Sequence, residues 1–362
     1  MRVIHVAPTP FGADGLFGGG ERYPLELARA LAADIECELI TFGRSPRLAR
    51  EPGGLRLRTV RALFYQGGHP AHPIAPALVG ALRGADIVHT HHLRSASSRL
   101  AGVLARLRSQ NSAVTDHGLQ GSLWGGLLPR LFDVFLAVSV YSARELGAPP
   151  DRTRVIYGGA DPARFFPDQS IDRQGALFVG RLTPHKGVDR VLAALPARAS
   201  LRIVGSTGHD PRLPERDYPQ LLQQLAATRN VHFLGTAADD QLPQLYRSAS
   251  VFVLPSVERT CYGRSIRVSE LLGLSVLEAM ASGTPVIASR VGGVPEIVTH
   301  GETGYLVPPG DVDALHDALA RLLADTALAR RLGANARETV LERFTWRKVA
   351  ERCLDAYALL TR

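Results

Sequence analysis

The sequence predicts an α/β protein built as two doubly wound halves, each a parallel sheet covered by helices. Three observations carry that expectation. Short apolar runs alternate with amphipathic segments along the 362 residues, the pattern of parallel strands joined by helical crossovers. Both halves open alike, with an apolar strand running into a glycine-containing loop and then a helix: Thr9 to Arg22 in the first, Gly180 to Gly187 in the second. Between them, Tyr157-Gly-Gly-Ala-Asp161-Pro-Ala-Arg-Phe-Phe-Pro167 is rich in structure breakers and marks a hinge near residue 165, dividing the chain into 1–165 and 166–345 plus a terminal segment.

Taken in order, strands are expected at Val3 to Ala7, Cys37 to Thr41, Leu55 to Thr59, Asp86 to His89, Ala113 to Thr115 and Val134 to Val138. The second half repeats them at Leu177 to Gly180, Leu201 to Gly205, Val231 to Gly235, Val251 to Pro255, Val286 to Ser289 and Tyr305 to Val307. Apolar spacing at Leu25, Leu27, Ala28 and Leu31 predicts a helix after Gly20. Ser275 followed by Glu278 has the spacing of a capping box, which starts a helix near Val276 and ends it at Gly283-Thr284-Pro285. Ligands of doubly wound sheets bind beyond the carboxyl ends of strands, so two such edges facing each other are expected to hold one extended ligand in a cleft.

Composition narrows the class. A hydrophobic content of 45% with 35 Gly and 24 Pro describes a globular chain with many turns. No apolar run is long enough to span a bilayer, and Met1 to Pro8 is too short and too quickly broken for a signal peptide, so a cytoplasmic protein is expected. Cys37, Cys261 and Cys353 are odd in number and far apart, which supports neither a disulfide framework nor a cysteine zinc site. The net charge is +8, and residues 1–165 hold 19 Arg against 13 Asp and Glu. The densest part is Arg44, Arg47, Arg50, Arg56, Arg58 and Arg61, opposed in sequence only by Glu51; it is either a solvated face or a surface that draws an anionic partner.

The chemistry is concentrated in a few segments. Glu270 and Glu278 bracket a loop-to-helix junction; a helix start exposes unpaired N–H groups and the positive end of a dipole, and Gly273 lets the backbone come close to a ligand. The plainer reading is that Glu278 only caps its helix and Glu270 is solvated. Gly19 and Gly20 offer N–H groups to phosphate, although neither the dinucleotide fingerprint nor the P-loop pattern is present. Arg181 and Lys186 form a cationic pair at a helix start, suited to a diphosphate or merely salt-bridged at the surface. Asp116-His117 places a polar pair at the end of a strand. His89 and His91 share one strand face, which favours packing or acceptor contact over a metal. Asp311 and Asp313 follow Pro309-Gly310 and are read as helix capping rather than as metal ligands.

Together these segments resemble, over almost the whole chain, the retaining glycosyltransferases of family four, which have the GT-B architecture. Gly18-Gly19-Gly20-Glu21, Asp116-His117, Gly180-Arg181-Leu-Thr-Pro-His-Lys186-Gly187 and Glu270 through Glu278 stand in the family's order, and the last, continued by Ala-Met-Ala-Ser-Gly-Thr-Pro, is the specific one. The resemblance implies an acceptor-side N-terminal domain, a nucleotide-sugar domain, and a final helix, 346–362, crossing back to the first. It implies that Glu278 holds the ribose hydroxyls, Glu270 contacts the transferred sugar, Arg181 with Lys186 holds the diphosphate, and His117 bonds the sugar. Donor contacts are expected at Gly19, Gly20, Gly205, Leu234, Gly273, Leu274 and Glu278. No metal and no cofactor are expected.

Two departures stand out. Residues 257–269 are an insertion that makes Glu258 a rival for Glu270, although the spacing to Glu278 favours Glu270, and the insertion is a candidate lining for the acceptor. Leu271-Leu272 replaces the family's more usual Gly-Phe, which bears on the sugar accepted. The expected activity is metal-independent, retaining transfer from a UDP- or GDP-type sugar donor to a hydroxyl acceptor that is a glycan, lipid-linked or small. Lipid-linked or anionic acceptors imply a peripheral position at the inner membrane face. The rivals are an epimerase or a disaccharide phosphorylase on the same fold and, with less support, a basic nucleic-acid-binding protein, for which isolated Trp124 and Trp346 supply no stacking motif.

Overall fold

The computed structural model describes residues 1–12, 18–117, 127–207 and 217–360; Gly118, Trp124 and the middle of the first glycine loop lie outside them. The chain separates into two compact units, Met1–Gly158 with Trp346–Arg362, and Gly159–Thr345. The first division thus falls ahead of the hinge read near 165.

In the first unit the order is β1 (Arg2–Val6), α1 (Gly19–Leu31), β2 (Glu36–Gly43), β3 (Arg47–Arg50), β4 (Arg56–Arg61), β5 (Phe64–Tyr65), β6 (Pro73–Ile74), α2 (Leu78–Ala81), β7 (Ile87–His91), α3 (Ala96–Leu107), β8 (Asn111–Thr115), β9 (Val134–Ala137), α4 (Val140–Leu146) and β10 (Thr153–Val155). Eight strands form one sheet in the order β10-β9-β8-β7-β1-β2-β4-β3. All pair in parallel except the edge strand β3, which runs antiparallel to β4. The six strands expected in this half are present within a few residues. Strand β3 was missed because Arg47, Leu48, Ala49 and Arg50 are all exposed, so no buried face imprints a period of two.

The second unit contains β11 (Ala176–Val179), α5 (Val188–Ala194), β12 (Ser200–Val204), α6 (Tyr218–Ala226), β13 (Asn230–Gly235), α7 (Leu242–Arg247), β14 (Val251–Leu254), α8 (Leu274–Ala281), β15 (Val286–Ser289), β16 (Gly304–Val307), α9 (Val312–Ala324) and α10 (Thr326–Arg343). Its sheet runs β13-β12-β11-β14-β15-β16, parallel throughout. The strands β14 and β15 are buried on both faces and read as apolar runs, broken only by Ser289 at the end of β15, as covered parallel strands do. A last helix, α11 (Trp346–Ala358), packs on α1 in the first unit and buries Trp346, Val349, Ala350, Cys353, Ala356 and Tyr357.

In both sheets the strand order reverses beside the first strand of the unit, between β1 and β7 and between β11 and β14. Such a reversal leaves a crevice at the carboxyl ends, because the two flanking crossovers depart in opposite directions.

Part of the basic cluster is internally neutralised. Arg2, Arg56 and Arg58 surround Glu38, which is fully buried on β2, and Arg56 also pairs with Glu36. Glu51, the one acid adjacent in sequence, pairs instead with Arg29 of α1, at 2.8 Å. Pairing across strands is invisible to a count along the chain.

Candidate active site

In the second unit the carboxyl edge is drawn together by glycines. Gly205 has φ +140°, and a Cβ there would lie 1.8 Å from the Gly180 carbonyl oxygen, so the end of β12 presses against the loop after β11. Its N–H donates to Gly235 O at 2.7 Å. Gly187 has φ +68°, and its Cβ would fall 2.0 Å from Pro255 O; beside it Val257 N–H donates to His185 O at 2.8 Å. The loop 181–187 is therefore fastened to the segment that follows β14. No residue with a side chain fits either contact without moving the backbone.

That fastening brings the predicted charges together. Lys186 Nζ pairs with Glu270 Oε1, and Ser256 Oγ donates to the same oxygen at 2.7 Å. The Glu270 residue is 7% exposed. Its carbonyl is held by Gly293 N–H, and the preceding Gly292 has no room for a Cβ, which would sit 1.7 Å from that oxygen. Loops after β11, β14 and β15 thus meet at one residue, the first two at its carboxylate and the last at its backbone carbonyl. Glu270 is neither solvated nor loosely placed, whereas its rival Glu258 is exposed on a small hairpin closed by the Arg259–Ser265 bridge. The hairpin borders an open cavity of about 490 Å³ lined by Arg190, Glu258, Arg259 and Cys261 among others; of the expected positions only those of the 257–269 insertion line it, while Arg181, Lys186, Glu270 and Glu278 do not.

The junction before α8 departs from expectation. Ser275 does not cap the helix: Gly273, in the left-handed region at φ +102°, is the N-cap, no side chain bonds there, and α8 begins at Leu274. A capping serine needs extended backbone outside the first turn to aim its oxygen at the free N–H groups; Ser275 already lies inside that turn. Glu278 is consequently not part of a capping box. It is buried among Val276, Leu277, Ala279 and Met280 and accepts a hydrogen bond from Tyr246 Oη at 2.8 Å. The helix ends as read, with Ser282 as C-cap and Gly283 at φ +65°. Asp311 caps α9, accepting from Ala314 N–H at 2.9 Å.

Arg181 is exposed on the same loop as Lys186. His185, the residue before Lys186, has its pKa lowered to about 3, first by burial and then by the positive charges of Lys186, Arg181 and Arg264. The loop is electropositive before any ligand arrives. Leu234, half exposed, and Gly205 stand at the carboxyl ends of β13 and β12. Tyr246, Ser256 and Gly292 were not singled out from sequence; Ser256 alone had a signal, its place directly after an apolar strand.

The first unit gathers its own polar groups at the β1/β7 crevice. Gly18 is the N-cap of α1, and Gly19 and Gly20 form its first turn. A Cβ on Gly20 would lie 3.2 Å from His92 Cε1 and 3.6 Å from His117 Cβ, so the glycine keeps the helix start against these rings. Asp116 accepts from Leu93 N–H at 3.0 Å and so ties the end of β8 to the segment after β7. His92 takes φ +62°, uncommon for a residue with a side chain. Behind His117 lie His91, His5 and His89, all fully buried. Burial depresses the pKa of each of the four, to about 3 for His5 and well below the ordinary value for the others, so they are neutral. The ligand atoms of His5, His89 and His91 lie within 4.8 Å of one another, a spacing open to a metal. Both nitrogens of His89 are committed, however, to Tyr357 Oη at 2.6 Å and Thr115 Oγ1 at 2.8 Å. With both nitrogens of His89 engaged, the trio as it stands is a hydrogen-bonded cluster.

Two parallel-sheet units with polar loops at their switch points define a GT-B protein. Residues 164–339 match the family described as Glycosyl transferases group 1, and residues 17–164 match Glycosyltransferase Family 4. The D-inositol 3-phosphate glycosyltransferase of Streptomyces bingchenggensis is 31% identical over 414 aligned positions, covering 99% of this chain and 88% of that protein. An uncharacterized glycosyltransferase of Methanocaldococcus jannaschii is 34% identical over 231 residues, 58% of this chain and 55% of the relative, so that match spans little more than half its length. Among solved structures, sucrose-phosphate synthase from Thermosynechococcus elongatus superposes with a TM-score of 0.76 at 27% identity, covering 100% of this chain and 99% of the other. HepE from Anabaena, solved with UDP-glucose, shares the fold with a TM-score of 0.75 at 19% identity and 99% coverage of both chains. The chain belongs to the group 1, family four glycosyltransferases.

Proposed function

We propose that this glycosyltransferase moves a hexosyl group, with retention of configuration and without a metal ion, from a UDP- or GDP-linked sugar to a hydroxyl acceptor. The observation that carries the reading is the part-buried Lys186–Glu270 pair, joined by Ser256, at the sheet edge where β11 and β14 part. A carboxylate with two donors on one oxygen is fixed in orientation and keeps its other oxygen for a substrate hydroxyl. Lys186 and Arg181 supply the positive charge a diphosphate needs, and they act most strongly as the bond from the anomeric carbon to the phosphate oxygen breaks and charge builds on that oxygen. The same oxygen then receives the proton of the acceptor hydroxyl while the acceptor oxygen bonds to the anomeric carbon on the face the leaving group vacates. Glu278 is proposed to hold ribose hydroxyls, and the unpaired N–H groups at Gly273 and Leu274 to meet phosphate.

The test is transfer and donor hydrolysis by Glu270→Ala and Lys186→Ala, each expected to lose roughly 100-fold or more. Full activity in both ends the proposal. His117→Ala in the same assay tests its assignment to the transferred sugar. A thermal-shift series with UDP, GDP and ADP identifies the base, since a ligand at a hundred times its Kd adds about 2.7 kcal/mol.

For the acceptor we propose a lipid-linked or anionic molecule met at an anionic membrane surface. Residues 52–115 hold eight Arg and a single acid, Asp86, and Leu63 and Phe64 beside them are 63% and 57% exposed. No helix among the described residues is long and apolar enough to cross a membrane, so contact would be peripheral. Lysines are nearly absent, and guanidinium groups pair bidentately with phosphates.

A further inference from the structure

We propose that His5 and His91 are positioning residues that fix the tautomer of His117, so that His117 presents an N–H donor, at Nδ1, rather than a bare acceptor. This rests on the reading of His117 as a sugar contact for its consequence, though not for its physics. Three imidazoles lie in line: His5 Nδ1 is 3.1 Å from His91 Nε2, and His91 Nδ1 is 3.2 Å from His117 Nε2. The rings are close to coplanar, inclined by 19° and 12°, with centroids 5.4 and 5.5 Å apart. In-plane alignment points each ring's N–H at the next ring's lone pair.

A neutral imidazole has one donor and one acceptor, so a bond at one nitrogen dictates the state of the other. In such a chain every proton must point the same way, and the far end decides the direction. That end is His5 Nε2, buried and without a hydrogen-bond partner among the described residues. A proton there would be an orphaned buried N–H, the rarer of the two kinds of unsatisfied group. The His5 proton therefore sits on Nδ1 and is donated to His91 Nε2; His91 donates from Nδ1 to His117 Nε2; and His117 carries its own proton on Nδ1. His89 stands beside the chain but outside it, its nitrogens held by Tyr357 and Thr115. Three fully buried histidines are an expensive way to fill a sheet interior, and apolar residues would serve packing alone. Setting the hydrogen-bonding state of a group at the crevice is a use that packing does not have.

The direct test is ¹⁵N NMR of the full chain with ¹⁵N-labelled histidine at pH 7.5, the His117 signals being assigned by their loss in His117→Ala. A pyrrole-type Nδ1 and a pyridine-type Nε2 on His117 are expected; protonation at Nε2, or averaged shifts, overturns the proposal. His91→Phe, which cannot donate, should release His117 to a mixture of tautomers and lower kcat about 10- to 100-fold by analogy with other orienting partners, with a smaller change in donor KM. His91→Asn places an amide N–H where Nδ1 was and should restore the single tautomer and most of the rate. A single Nδ1–H tautomer surviving in His91→Phe also overturns the relay. If His91→Phe does not fold, the wild-type spectrum still decides. Full activity in His117→Ala would instead refute the sugar contact while the spectrum judges the relay separately.

Discussion

Glu270 and Glu278 look alike in the sequence and are treated differently by the fold. One is gripped by a lysine from the loop after β11 and by a serine of its own loop, the other accepts from a tyrosine hydroxyl while sitting within an apolar helix. The glycines around them matter as much. Because a Cβ at Gly187 would meet Pro255 O at 2.0 Å, and the backbone there is left-handed, Gly187→Ala is expected to lower stability by about 1–3 kcal/mol and to loosen the loop that carries Lys186. A shifted denaturation midpoint together with lost transfer checks this; unchanged values in both would mean that the loop is not held as described. Residue identity drew attention to Glu270, Lys186 and Arg181, since charges flanking glycine turns are conspicuous, and the structure brings the first two together. Tyr246 was not singled out, and Ser256 showed only its place after an apolar strand, because a hydroxyl gives no hint in sequence of which carboxylate it will find.

Among the elements, strands with two covered faces were readable to within a residue or two, and exposed β3 was not. The start of α8 was misread for a related reason. The Ser-x-x-Glu spacing is a local signal, while burial of Glu278 against Tyr246 of α7 is a tertiary one, and the tertiary contact governs. The strands β1 and β7 allow a prediction about acid. His5, His89 and His91 are neutral in the folded unit, facing His117, Tyr357, Thr115 and one another. Their pKa values are lowered by burial, to about 3 for His5, against 6.5 in an unfolded chain. Between those values the unfolded chain binds protons that the folded one refuses, so stability is complete above pH 6.5 and falls as the pH drops. Each histidine should contribute a loss of about 1 kcal/mol between pH 6 and pH 5. Urea titrations followed by tryptophan fluorescence, which Trp346 on α11 reports for the first unit, check the sign; a midpoint that rises on acidification contradicts it.

For the whole molecule, the uneven charge predicts salt-sensitive adhesion. Vesicles with anionic lipid should sediment the protein at low ionic strength and release it as salt approaches physiological levels and beyond, because exposed charges are screened within about 8 Å at 0.15 M. Failure to sediment at low salt removes the membrane proposal. Neutralisation of Arg56 and Arg58 by Glu36 and Glu38 means that the pull must come from other arginines, so Arg56→Gln should scarcely change it. Division into two sheets was legible because the same strand, glycine loop and helix grammar occurs twice. Membership of α11 in the first unit came from resemblance, as nothing in the composition of residues 346–358 says which core they complete.

The second unit also begins and ends at one spot: Ala160 N–H donates to Phe344 O at 2.9 Å, and Ala160 bridges Thr345 in parallel. A segment whose ends are clasped in this way is a cassette, spliced into its host polypeptide at a single doorway. Residues 159–345 produced alone should fold cooperatively and retain nucleotide binding, and exchanging that cassette between relatives offers a route to changing the donor without rebuilding the host.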